Sequence, residues 1–294
     1  MTLKPYNYRD SVKSDVSDEL VNVYLQRPVA GLVTRLAYFT PLTPNQLTVV
    51  AIIFGIGGSL FLLPKEPFFI WAALFLYMKD VFDSADGQLA RAKELYSRRG
   101  RFLDSIGDFA VNVSLFAAIF VYLVRQHLPP PSALLLALAG FLGVTLRVSY
   151  HVFYQTAFLH SRREYQTNRL SEEFSPEDFR EDAATVRLQR IFLSLYGWQD
   201  RLMKLIDVWS KGSGEPLTDA ALSTWYCDTA ALRLSGFLGL GTEFVLLTAC
   251  LLLHSIGLYL FISIGFLNCV WAAAFVYRKF VLSKEVGRGK KRGE

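Results

Sequence analysis

Long apolar blocks, separated by short charged segments, constrain this chain more than any other feature. Of its 294 residues 52% are hydrophobic, and they fall in continuous runs rather than at amphipathic spacing. A helix that crosses the hydrocarbon core of a bilayer needs about 20 largely apolar residues. Six stretches approach that length, at about residues 48–63, 68–81, 102–124, 132–159, 231–254 and 258–282, the first two being short unless their polar ends are included. The pattern predicts an all-α integral membrane protein built as a six-transmembrane-helix bundle.

Lys and Arg set the expected orientation, because cytoplasmic flanks carry the positive excess. Under six spans, the N-terminal arm, the loop with Arg91, Lys93, Arg98 and Arg99, the long fourth-to-fifth connection and the tail GRGKKRGE share one side. The other side offers only Lys65 and Arg125 near the span ends. Both termini are therefore expected in the cytoplasm. The net charge of +5 reads as anchoring to anionic lipid, and no nucleic-acid recognition module accompanies it. Cys227, Cys250 and Cys269 follow no pattern and read as small buried apolar residues. The segment MTLKPYNYRDSVKSD has charges without an apolar core, so no cleavable signal peptide is expected and the first span inserts as an internal signal.

Five segments follow: an arm at 1–46, four spans at 47–159, an insertion at 160–230, two spans at 231–282 and a basic tail at 283–294. In the arm, residues 17–39 place apolar side chains on recurring helical faces, which predicts an interfacial amphipathic helix pair bent at Pro28; a soluble helical arm packed on the bundle is the plainer alternative. The turn Thr40 to Pro44 delivers Asn45, Gln46 and Thr48 to the first span, where they either touch substrate or cap the helix. In the insertion, Ser175 and Pro176 start a helix, and Leu188 to Trp209 keep helical spacing suited to a helix on the membrane or capping the bundle. The insertion is expected to shape acceptor access or dimer contacts. The four histidines, His127, His151, His160 and His254, are scattered and read as interfacial or packed.

Charge at the membrane edge marks the site. Four aspartates, Asp83, Asp86, Asp104 and Asp108, lie where apolar stretches run in from both sides. Asp83 is about 22 Å along the second span from Phe68, at 1.5 Å per residue, near the inner boundary of the hydrocarbon. Asp83 and Asp86 are at i, i+3 with Gly87 and Ala90 on the same face, and Asp104 and Asp108 are at i, i+4 with Gly100 one turn earlier. Two helices joined by a basic loop can thus point paired carboxylates at each other. Every candidate ligand is a hard oxygen, which favours Mg²⁺ or Mn²⁺ over zinc. Lys79, one turn before Asp83, either contacts phosphate or snorkels to the interface; Asp80 is expected to pair with a basic residue.

With its spacings the stretch reads Asp83-x2-Asp86-Gly87-x2-Ala90-Arg91-x8-Gly100-x3-Asp104-x3-Asp108. This resembles, without a departure, the signature of the CDP-alcohol phosphotransferase family of membrane enzymes in phospholipid biosynthesis. The resemblance implies transfer of a substituted phosphoryl group from a CDP-linked donor to an alcohol, with release of CMP, and a homodimer. It implies that Asp83, Asp86 and Asp104 hold a pair of metal ions, and that Asp108 is the base on the acceptor hydroxyl and a further metal ligand. Asp83, Asp86, Gly87, Ala90, Gly100 and Asn45 are the implied CDP contacts, and Arg91 either meets the donor phosphates or supports Asp83 and Asp86.

The acceptor is less legible. An alcohol phosphate such as inositol phosphate or glycerol phosphate needs a basic pocket, for which Arg147, inside the fourth span, and Arg233, at the mouth of the fifth, are the candidates. Glu243 is the alternative, purely structural partner of Arg147. Thr43 to Thr48 and Arg27-Pro28 are similar to members that handle inositol phosphates, while serine, choline and diacylglycerol stay open as acceptors. A transporter or cation channel is the competing class. It predicts acids near the bilayer midplane and an inverted repeat, neither of which the sequence offers.

Overall fold

The computed structural model describes residues 5–12, 18–162, 172–175, 178, 181–212 and 217–283. Among these there are helices and connections and no strand. Pro176 and the tail beyond Ser283 lie outside the described residues.

A short α1 (Tyr8–Ser11) precedes a π-helical turn, Asn22–Gln26, that runs into α2 (Arg27–Tyr38). Pro28 sits in the first turn of α2, where its missing N–H costs nothing, so the expected bend at Pro28 is a π turn just before it. α2 leaves Leu32, Leu36 and Phe39 exposed, the apolar face that an interfacial helix needs. Its other face packs on α4: Thr34 Oγ1 donates to Ala85 O at 3.3 Å, and Gln88 Nε2 donates to Arg27 O at 3.2 Å.

The bundle proper is α3 (Pro44–Leu60), α4 (Phe69–Ala92), α5 (Arg98–Arg125) and α6 (Pro130–Ser161), then α7 (Ala183–Lys211), α8 (Asp219–Cys227), α9 (Thr229–Gly236), α10 (Leu240–Leu252), and the run α11 (Ile256–Leu260), π turn Phe261–Phe266, α12 (Leu267–Val276), π turn Tyr277–Leu282. A continuous apolar core joins α3 to α6 with α10 and α11. Among the described residues, four segments are long and apolar enough to cross a membrane: Arg98–Arg125, Pro130–Ser161, Asp219–Leu252 and Ile256–Leu282. The chain is thus an all-helical integral membrane protein. The expected count of six is not reached by length and apolarity: Pro44–Leu60 is short, and α4 carries Lys79, Asp80, Asp83, Asp86 and Arg91 along its inner half.

The fifth expected span is not one helix. It breaks between α9 and α10, at residues 237–239, and restarts at Leu240. Glu19 from the arm supplies the cap. Its Oε1 accepts from Gly241 N at 3.2 Å, and its Oε2 accepts from Thr242 N at 2.6 Å and Thr242 Oγ1 at 2.8 Å. A carboxyl group at a helix N-terminus meets its unpaired N–H groups. The arm is thereby fastened both to α4 and to α10.

Candidate active site

The site begins with how α3 and α5 start and how α4 ends. Gln46 Oε1 accepts from Thr43 N at 2.9 Å, so Gln46 is spent on capping α3, and Asn45 and Thr48 are left to face inward. Lys93 Nζ donates to Thr40 O at 2.7 Å and Leu42 O at 2.9 Å, fixing the turn before α3 to the end of α4. Ser97 caps α5 through Gly100 N at 3.0 Å. α3, α4 and α5 thereby converge with the signature residues between them.

One oxygen each from Asp83, Asp104 and Asp108 lies within 4.8 Å of the others, a spacing and an all-oxygen donor set that fit a hard divalent ion. Asp86 joins from the same helix face, its Oδ2 accepting a hydrogen bond from Thr48 Oγ1. Lys79 pairs with Asp83 at 3.4 Å and with Asp108 at 2.6 Å. Asp80 lies on the same cavity as these four and accepts from Gln26 Nε2; where the sequence predicts a basic partner, its hydrogen-bond partner is an amide. Arg91 Nε donates to Ser11 O.

Three cavities meet at Asp104, which lines all of them. The first, about 400 Å³, is walled by Asn45, Asp86, Gly87, Ala90, Arg91 and Gly100. These are all but one of the residues expected to bind CDP. A Cβ on Gly87 would meet nothing closer than Arg91 Nη1 at 3.4 Å, so the bare backbone there serves the cavity rather than packing. The second, about 290 Å³, is polar: it touches all four aspartates and is closed by Asn22, Arg27, His151 and Gln155. The third, about 330 Å³, lies between α5, α6 and α7, with Phe109, Phe141, Val148 and Phe192 among its walls.

Residues 41–203 match the family described as CDP-alcohol phosphatidyltransferase. The chain belongs to the CDP-alcohol phosphatidyltransferase family. It is 35% identical over 123 residues to a phosphatidylinositol phosphate synthase of Corynebacterium glutamicum, covering 42% of this chain and 53% of that one. It is 34% identical over 142 residues to a bifunctional IPC transferase and DIPP synthase of Thermococcus kodakarensis, 48% of this chain and 31% of the other. A second protein of that name, from Aquifex aeolicus, is 28% identical over 122 residues, 41% of this chain and 27% of its own length. The matched segment thus spans about a quarter to a half of the length of these relatives.

The family signature occupies one site, but the expected acceptor arginines do not join it. Arg147 is 1% exposed and both terminal nitrogens of its guanidinium are engaged: Nη2 meets Glu243 Oε2 at 2.9 Å and Ser263 Oγ at 2.9 Å, and Nη1 meets Ser263 O at 2.8 Å and Asn268 Oδ1 at 2.7 Å. Burial demands such partners, and Arg147 ties α6 to α10 and the 261–266 turn. Arg233 is exposed on α9 and lines none of the three cavities.

Sequence reasoning passed over other residues. His151 and Gln155 stand at i, i+4 on α6 and reach the polar cavity; two polar groups at helical spacing in an apolar span were the available signal. The insertion's part was also unseen. Glu172 binds both Arg98, at 3.0 Å, and Arg101, while Asp178 holds Arg98 at 2.6 Å. This strap crosses the start of α5 beside the Gly100 cavity. Burial pushes the Asp178 carboxyl up, but hydrogen bonds from Gln189 and Ser175 N, with the Arg98 guanidinium, outweigh it and hold the group well below the usual range. α7 then lies against α5, with Tyr196 donating to Ser105 O at 2.7 Å.

Proposed function

We propose that this protein transfers a substituted phosphoryl group, phosphatidyl in the first instance, from a CDP-linked donor such as CDP-diacylglycerol to an alcohol acceptor, releasing CMP. The observation that carries this reading is the gathering of all four signature aspartates on one polar cavity, three of them with oxygens within 4.8 Å. Asp83, Asp86, Asp104 and Asp108 would hold two divalent ions, Mg²⁺ or Mn²⁺, which supply neutralisation of charge on the diphosphate oxygens.

The chain's own residues divide the work. The cytidine diphosphate sits in the cavity of Asn45, Gly87, Ala90 and Gly100, where bare backbone at Gly87 lets the diphosphate approach, with Arg91 beside it. The acceptor hydroxyl enters the polar cavity and attacks the phosphorus of the phosphatidyl group; the new O–P bond forms as the bond to the CMP oxygen breaks. Asp108, shared by the polar cavity and the cavity between α5, α6 and α7, takes the hydroxyl proton, and CMP leaves with the bonding pair. The apolar walls beside α7 receive the donor's lipid portion.

The acceptor we propose is inositol phosphate. The name of the Corynebacterium relative supports it, as does Arg27, whose guanidinium lines the polar cavity outside the signature and is held there by Asp18 at 2.5 Å. Arg27 with His151 and Gln155 takes the place first given to Arg147 and Arg233. The Lys and Arg distribution supports termini and a site in the cytoplasm, and family likeness supports a homodimer as the working unit. The test is CMP release by purified protein with Mg²⁺ or Mn²⁺, supplied with CDP-diacylglycerol or other CDP-alcohols and a panel of alcohols and alcohol phosphates. Release that needs an acceptor and is lost in Asp108→Asn supports the reading; no release from any pairing sinks it.

A further inference from the structure

Lys79 does not do what an interfacial lysine does. Its side chain is 1% exposed, and its ammonium lies 4.8 Å over the Phe244 ring, 3.4 Å from Asp83 Oδ2 and 2.6 Å from Asp108 Oδ1. The stem passes Gly55 on α3, where a Cβ would stand 2.6 Å from both Val111 methyls and 3.1 Å from Lys79 Cγ. The bare backbone there makes room for Val111 and the lysine stem together, and the buried ammonium points at the carboxylates rather than snorkelling to water. Lys79 is also absent from the walls of the three cavities, so it stands behind the carboxylates and not against the donor phosphates.

We infer that Lys79 is a built-in counter-ion, a positioning residue that holds Asp83 and Asp108 together and lowers the affinity of the aspartate cluster for divalent ions until the CDP-linked diphosphate arrives. The inference rests on the proposed function, and its argument is electrostatic. Carboxylates this close repel one another, and an ammonium between two of them offsets that repulsion before any ion binds. The same ammonium repels an incoming dication at a few ångströms, where burial makes charge count. Both effects weaken ion binding. The diphosphate brings negative charge that cancels the repulsion, so ion and nucleotide bind with positive coupling, which by linkage is reciprocal. The second consequence concerns Asp108: with Oδ1 on Lys79, its other oxygen is the one left for the acceptor hydroxyl.

The test is Mn²⁺ binding to the full chain in detergent, followed by calorimetry, with and without CDP, in wild type and Lys79→Met. The inference expects Lys79→Met to bind Mn²⁺ about tenfold or more tightly, to show a smaller effect of CDP on that affinity, and to turn over more slowly. Unchanged or weaker Mn²⁺ affinity in the variant overturns it. A lysine that merely packs would lower the melting temperature by the same amount at every Mn²⁺ concentration, whereas the inference expects Mn²⁺ to restore the variant's melting temperature preferentially. Lys79→Gln, which keeps a hydrogen-bonding head without charge, gives the same comparison if the methionine variant does not fold. Mn²⁺ binding is read without turnover, so a wild type that binds Mn²⁺ yet releases no CMP would sink the proposed reaction and not this inference.

Discussion

Gly100 stands so close to Asn45 that a Cβ on it would lie 2.5 Å from Asn45 Oδ1 and 2.9 Å from Ser97 Oγ. The two residues start different helices, and their contact sets the width of the cavity assigned to the nucleotide. Gly100→Ala must push Asn45 aside or open the start of α5, an overpacking cost of about 1–3 kcal/mol. The expected result is lower thermal stability together with weaker CMP binding. Gly87→Ala is the contrast, since its new methyl meets only ordinary contact with Arg91; unfolding is expected to change little while CMP affinity, by calorimetry, falls about tenfold or more, the cost of steric overpacking against a ligand.

Acceptor recognition separates two sets of residues. Arg27→Lys and Gln155→Ala are expected to raise KM for the acceptor about tenfold, about what one lost charge-assisted or polar contact is worth, with KM for the donor nearly unchanged. Arg233→Ala, outside the cavities, leaves both constants as they are. A donor-KM effect from Gln155→Ala would move the acceptor out of this cavity.

Arg147 and Glu243 behave as a buried pair. Removing one partner strands the other charge, at a cost of about 3–5 kcal/mol, so Arg147→Ala is expected to lose most folded protein in detergent. Arg147→Met with Glu243→Leu together should recover much of that stability, and where it folds, acceptor KM should match wild type.

The strap is expected to be acid-resistant. Because the folded-state pKa of Asp178 is depressed, its stabilisation is complete above the ordinary carboxylate pKa of about 3.9 and is lost as pH falls below that value toward the folded pKa. Hydrogen exchange at residues 172–175 and at Asp178 should therefore stay slow from neutral pH down to about 4. Asp178→Asn should expose the segment to proteolysis at pH 7, where the wild type resists.

The aspartate motif and the apolar blocks were legible because both are local: their meaning lies in spacing along one or two helices. What escaped is long-range. Nothing in the sequence says whether Arg147 faces a cavity or Glu243, nearly a hundred residues away, and nothing ties Glu172 to Arg98. The break before Leu240 was signalled by the glycines of SGFLGLG, but an apolar run hides it from hydropathy. For Lys79, position at the membrane edge fits phosphate contact and snorkelling equally well; its direction depends on Asp108 and Phe244 of other helices.

The most direct measurement of the account is the mass of the product. Purified protein with Mn²⁺, CDP-diacylglycerol and inositol phosphate should yield a lipid whose mass equals the phosphatidyl group joined to the acceptor, in equal amount to CMP, and Asp108→Asn should yield neither. CMP without a coupled product, or a coupled product that persists in Asp108→Asn, would contradict it.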